Sequence, residues 1–316
     1  MSFLNPTPVP VRHYSSTDTD APQLPANNWT GAIKTILKAC LVTGYGGKPG
    51  AGWTLREETP DKAIFAMGDP ACPPVALEVD SGNINITQLD LYWQGVKQSL
   101  NPSWSGSQFN RGYTAWIGWH LVASARGFVL LPLARAAAGG PVGAAMLYFG
   151  QICSNLVDPG QQDFALWIGR DNGAGHNLSD VGRTLAAGSG KYLYSSGALK
   201  IGGKIGDARN TIARTAMLSG SYGGPRQPAS NPLGAIAYGE IWLHQSTTAN
   251  INSITGRLPG LLVASHRTVT EQTGDIIQVA GSPHRWLLAH QDDTLQAAGN
   301  TATGCALLVN LDEWVY

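Results

Sequence analysis

Apolar runs in this sequence are short, and a turn former ends nearly every one. Lys62–Met67, Val75–Val79, Gly127–Leu133 and Asp163–Ile168 are each the length of a strand. None reaches the three or four turns of an ordinary core helix. The 39 glycines and 19 prolines supply the punctuation. A chain cut this way is restricted to short strands joined by turns. Further strands are expected at Ile86–Trp93, Ala144–Ile152, Lys191–Tyr194, Ala235–Leu243, Leu261–His266, Asp275–Val279, Trp286–Ala289 and Ala306–Leu311.

One segment breaks the pattern. In Thr30–Thr43, residues Ile33, Ile36, Leu37, Cys40 and Leu41 fall on one helical stripe. Thr30 is placed as its N-cap, and Gly44 stands where a left-handed C-cap is expected. The fold class is therefore α+β and β-rich, with mostly antiparallel, sandwich-like sheets and one amphipathic helix in the N-terminal half. Residues 1–28 show no period and read as an extended arm. Residues 29–170 read as an α+β domain and 171–316 as a β-rich domain, with the boundary in the polar, glycine-rich stretch Arg170–Gly190. Ala208–Gly234 reads as an irregular excursion.

Charge narrows the partners. Lys+Arg and Asp+Glu both number 21, so there is no net electrostatic pull toward nucleic acid or anionic lipid. The charged fraction of 13% is about half of the roughly 25% usual for globular chains. Such a surface does little to oppose association. The N-terminus lacks a basic region followed by an apolar one, so no signal peptide is expected. The apolar stretch Gly127–Gly150 is broken by Pro132, Arg135, Gly139, Gly140 and Pro141, so no membrane span is expected there. Synthesis in the cytoplasm follows. Cys40, Cys72, Cys153 and Cys305 form no CxxC pair, which gives no support to a zinc or redox site. Buried thiols are expected, with two disulfides left open.

LVTGYGGKPGAGW at Leu41–Trp53 poses a sharper question, because glycines around a lysine can cradle phosphate. A phosphate loop runs from strand to helix, so that amides at the helix start face the ligand. Here the helix comes first, and Lys48 is followed by Pro49, which has no N–H. The stretch reads as a helix stop running into turns that aim Trp53 at the next element. GSGKY at Gly188–Tyr192 lacks the spacing as well. The seven histidines form no HExxH or HxH pattern, and no GxSxG elbow is present. Glu57-Glu58 and Asp292-Asp293 are adjacent pairs, and neighbours on a strand point to opposite faces. DNGAG at Asp171–Gly175 reads as a turn and does not fit the EF-hand pattern. No catalytic residue, cofactor or metal is expected.

Aromatic residues cluster in NPSWSGSQFNRGYTAWIGWH, which holds Trp104, Phe109, Tyr113, Trp116 and Trp119. Trp104, Tyr113, Trp116 and Trp119 read either as a surface for a protein partner or sugar or as core.

GYGGKPGAGWT at Gly44–Thr54 resembles the GYG-x-K-x-x-AGWT signature of a family of tailed-bacteriophage virion proteins. The family's early helix corresponds to Gly31–Thr43, and KAIFAMG at Lys62–Gly68 to a following strand. ARGFVLLPL at Ala125–Leu133 stands where that family has a DGRTFYL-like phrase. Ala144–Gly169 is similar to its FFGDF-x-SYKPGDAY segment. GRLPGLLVASH at Gly256–His266, with Gly274-Asp275, is similar to its RG-x-LPGL…PLH…GD stretch. The terminal strand ending in Trp314 matches too. The resemblance covers about residues 13–316. Two phrases depart: VALEVDS at Val75–Ser81 replaces YLRVDD, and KPGDAY is degenerate around Asp158-Pro159-Gly160. The resemblance implies a non-enzymatic structural part of a virion, in the tail tip or baseplate. It would assemble with copies of itself and with other tail proteins, and its arm would add a strand to a neighbour. A receptor- or carbohydrate-binding module of the virion and a capsid-decorating protein are the alternatives. An envelope-degrading hydrolase ranks below them.

Overall fold

A computed structural model of the chain describes residues 7–23, 32–60, 62–72, 75–80, 83–88, 97–99, 116–135, 141–143, 146–154, 164–169, 199–202, 209–215, 238–247, 250–264, 271–291 and 306–316. The chain enters through β1 (Pro8–Pro10) and β2 (Arg12–Ser15). Helix α1 (Ala32–Leu37) runs directly into a π-helical segment, Lys38–Thr43. β3 (Thr54–Glu58), β4 (Lys62–Ala66), β5 (Val75–Asp80), β6 (Asn83–Gln88) and β7 (Lys97–Ser99) form a 5-stranded meander in sequence order.

Most later strands join one large sheet. They are β8 (Trp116–Ser124), β9 (Gly127–Arg135), β10 (Pro141–Gly143), β11 (Met146–Gln151), β12 (Cys153–Ser154), β13 (Phe164–Gly169), β14 (Leu199–Gly202) and β15 (Arg209–Thr215). There follow β16 (Tyr238–Thr247), β17 (Asn250–Ala264), β18 (Ile276–Gln278), β19 (Arg285–Gln291) and β20 (Ala306–Asn310). With β2 they make a 14-stranded sheet running β18-β19-β20-β17-β16-β15-β14-β13-β11-β9-β8-β2, with β10 on β9 and β12 on β17. β21 (Glu313–Val315) pairs with β1 alone. Every pairing among the described strands is antiparallel, as the β-rich α+β expectation required.

The large sheet curls over itself, and its β8-β9-β11-β13 portion is covered on both faces. Alternate residues show this. Trp119 and Leu121, Phe128 and Leu130, and Leu147 and Phe149 pack toward α1 and the small sheet. Val122, Val129, Leu131 and Tyr148 point the other way, against Leu261, Leu287, Val309 and Trp314. Burial on both faces explains why GFVLLPL is continuously apolar and not alternating. The arrangement has three layers: α1 with the small meander, the middle portion of the sheet, and the β17-β19-β20 portion. Each fully buried Leu, Val or Phe contributes about 1.5–3 kcal/mol, so this middle layer carries much of the stability.

The strand expectations that fall on described residues hold to within a few positions, except that the strand expected at Leu261–His266 begins at Asn250 as part of β17. Three segments differ. Residues 7–23 are not a free arm, because β1 zips to β21 and β2 forms the end of the large sheet, with Tyr14 fully buried. Arg209–Thr215 is a strand inside the stretch expected to be irregular. Trp116–Ser124 is a nine-residue strand whose two-sided burial hides any period. Strands on both sides of residue 170 share one sheet and one apolar cluster. Arg170–Gly190, Lys191–Tyr194 and the Thr30 cap lie outside the described residues.

Candidate functional site

Loop and helix explain each other at Gly44–Trp53. The last helical residues widen to a π-helix, closed by the Gly44 N–H donating to the Ala39 carbonyl at 2.8 Å. A helix end leaves carbonyls without partners. The returning chain supplies them: the Ala51 N–H donates to Cys40 O at 2.9 Å, and the Trp53 N–H to Leu41 O at 3.0 Å. Such an approach needs glycine at position 50, where a Cβ would lie 2.3 Å from the Val42 carbonyl oxygen. Gly44 has the positive φ of the expected cap, at 76°, but its ψ of 174° is extended and not left-handed helical. Trp53 is then inserted into the core. Its indole N–H donates to Ser124 O at 2.8 Å, and its ring meets Phe128 edge-on with centroids 5.5 Å apart.

The same loop grips the N-terminal strand. Lys48 Nζ donates to Asp18 Oδ2 at 2.6 Å and to the His13 carbonyl at 3.2 Å. The Tyr45 hydroxyl donates to Asp18 Oδ2 at 2.8 Å. In return, Tyr14 donates to the Pro49 carbonyl at 2.7 Å and Arg12 to the Gly50 carbonyl at 2.6 Å. Gly46, at φ 52°, rests on residue 19, and a Cβ there would be 2.0 Å from the Thr19 oxygen. Burial alone raises the Asp18 pKa, but Lys48, the Ser15 amide and Tyr45 outweigh it and hold the carboxyl below its usual value.

This geometry argues against a phosphate loop. A phosphate loop aims its amides at the ligand. Here the amides of Gly44, Tyr45, Lys48 and Ala51 all donate to carbonyls of this chain, and the Lys48 ammonium is ion-paired. The stretch is an internal brace, as its order of elements implied.

A histidine pair lies beside the brace. His13 on β2 and His120 on β8 are diagonal neighbours on one face of the sheet. Their rings stack with centroids 5.2 Å apart, and His13 Nε2 lies 3.0 Å from His120 Nδ1, so one ring donates to the other. The turn at Gly274 closes over His120 Nε2. Burial, the neighbouring ring and the Lys48 and Arg285 cations push His13 down to about 4, against a smaller opposing pull from Asp18. Burial likewise pushes His120 down to about 4, again opposed by Asp18. Both rings are therefore neutral near pH 7. The two residues are far apart in sequence, and only the β2–β8 register brings them together.

A second polar knot ties three segments. Arg126 Nε donates to Asp69 at 2.7 Å, its guanidinium lies 5.5 Å from the Tyr316 ring centroid, and the Tyr316 and Ser124 hydroxyls are 2.9 Å apart. Glu57 pairs with Lys62, and Glu58 with Lys38 at 2.7 Å, so each carboxylate of that doublet has its own cation.

Of the four aromatic residues singled out in the sequence, Trp119 is corrected. It is 0% exposed, and its indole N–H donates to Pro22 O at 3.1 Å, so it is core and not a partner surface. Trp116 opens β8. Trp104 and Tyr113 lie outside the described residues, as do Asp171–Gly175, Asp292-Asp293 and Cys305. Cys40, Cys72 and Cys153 are buried free thiols. Burial pushes the Cys72 thiol up to about 12. Among the described residues no group of three or more His, Cys, Asp and Glu is placed to hold a metal ion. No described helix is long and apolar enough to cross a membrane. No family model and no curated protein sequence matches the chain.

Proposed function

We propose that this chain is a structural subunit of a tailed-bacteriophage particle, in the tail tip or baseplate, acting by assembly with other virion proteins and without chemistry of its own. One observation carries the reading. GYGGKPGAGWT, the stretch on which the resemblance mainly rests, is spent on bracing the helix, the N-terminal strand and the core. Residues that build a fold are what a shared architecture would require. The lysine that could have argued for nucleotide chemistry is held by Asp18. The charge-poor, neutral composition fits a subunit that meets protein surfaces.

Mass spectrometry of gradient-purified particles, followed by labelling of this subunit in images of them, tests the proposal. The expected result is a fixed stoichiometry with the label at the tail end. Label on the capsid surface would select the decorating role instead. Absence from particles while the chain is abundant in the lysate would end the structural reading.

A further inference from the structure

The end of a β-sheet carries unpaired amides and carbonyls that template strand addition by another chain. The N-terminal strand forms such an end twice, as β1 beside β21 and as β2 beside β8. In an antiparallel pair, successive residues turn their N–H and C=O groups alternately toward and away from the partner.

For β1 the parity is fixed by two contacts. Thr7 and Tyr316 exchange both backbone hydrogen bonds, at 3.1 and 3.2 Å, and the Val11 N–H donates to Asp312 O at 3.1 Å. Thr7, Val9 and Val11 therefore face β21, with Val9 opposite Trp314. Pro8 and Pro10 occupy the outward positions, and both are exposed. Proline has no N–H. The free edge thus offers two carbonyl acceptors and no donor. In the sequence the alternation continues back to Pro6.

For β2 the parity follows from the Ser16 N–H donating to Trp119 O at 3.0 Å, which turns Tyr14 and Arg12 toward β8 and His13 and Ser15 outward. Three of the four outward groups are occupied by side chains. Lys48 Nζ donates to His13 O at 3.2 Å. The Ser15 N–H donates to Asp18 Oδ2 at 2.8 Å, and the Tyr45 hydroxyl lies 3.3 Å from Ser15 O.

We infer that the N-terminal strand presents two closed edges, one along β1 sealed by alternating prolines and one on the opposite side along β2 blocked by the Lys48–Asp18–Tyr45 plug, so that a second copy of this chain cannot add a strand at either. The occupant excluded is specific. The two free edges lie on opposite sides of the strand, since odd-numbered residues face β21 along β1 but face outward along β2. A copy docking beside β1 would meet acceptors without donors, and one docking beside β2 would find three of the four sites filled. The inference stands on hydrogen-bond parity and exposure, and it holds whether or not the chain belongs to a virion. Its consequence for assembly is that copies meet through other surfaces.

The test restores the missing donors. In the full chain, Pro8→Thr with Pro10→Thr places two outward N–H groups on an exposed edge without touching the bonds to β21. Sedimentation across a 100-fold concentration range should show the folded double variant shifted to at least twice the parent's mass at the upper end. Val9→Thr, which adds no outward donor, should keep the parent's mass. If the double variant fails to fold, the single Pro10→Thr variant carries the same readout with a smaller shift. A folded donor-restoring variant that keeps the parent's mass throughout would overturn the inference. So would an equal shift for Val9→Thr.

Discussion

Acidification should loosen this protein well before its carboxylates titrate, and the histidine pair is the reason. His13 and His120 both lie at about 4 in the folded chain, against 6.5 for an ordinary histidine. Between these values the unfolded chain binds more protons than the folded one. Stability therefore rises with pH in that interval. It is complete above about pH 6.5, falls as pH is lowered toward 4, and levels off below that. A displacement of this size corresponds to about 3 kcal/mol for one ring. The repulsion between the rings acts on His13, whereas His120 owes its displacement to burial. The groups facing His13 are Lys48, Asp18 and Arg285. Asp18, Asp69 and Asp312 are held low, so their contributions are present above the ordinary carboxylate value of 3.8 and are lost only below it. The window from pH 6.5 to 4.5 thus belongs chiefly to the histidines. Urea unfolding at half-unit steps from pH 7.5 to 4.5 measures the loss. The same series on a His13→Asn, His120→Gln double variant should be nearly flat. A parent whose unfolding free energy does not change between pH 7 and 5 would refute the reasoning, as would a double variant that keeps the parent's slope.

Three further outcomes test the brace and the core. Gly50→Ala should destabilise by about 2–3 kcal/mol, since its Cβ meets a backbone carbonyl that cannot swing away; the urea midpoint would report it, and an unchanged midpoint would contradict the close approach. Lys48→Met should cost only about 1 kcal/mol, because the lysine side chain is 41% exposed and screened. Calorimetry with ATP should show no binding to the parent, and heat that disappears in Lys48→Met would revive the phosphate reading. Trp119→Ala should cost about 3–5 kcal/mol as an emptied core site; glycan-array binding by the parent that is lost in a variant of unchanged stability would instead restore a recognition role for that ring.

The sequence by itself determined the class of this fold. Short apolar runs at Lys62–Met67, Val75–Val79 and Gly127–Leu133 had to be strands, and the stripe from Ile33 to Leu41 had to be helical. These depend on periodicity and turn chemistry, which act over a few residues. The order of helix before glycines, with Pro49 after Lys48, was enough to set aside a phosphate loop. The widening to a π-helix was not legible, because it depends on carbonyls being claimed by Ala51 and Trp53 from the returning chain. Only the tertiary structure decided what residues 7–23 do. Pro8 and Pro10 look like loop formers until the pairing with β21 shows which way each nitrogen faces. Trp119 was equally ambiguous, since a strand buried on both faces carries no alternation to mark inside from outside. His13 and His120 stand 107 residues apart. No local signal joins them, because strand register is set by which faces the whole core buries, and that is a property of the assembled sheet and not of any segment in it.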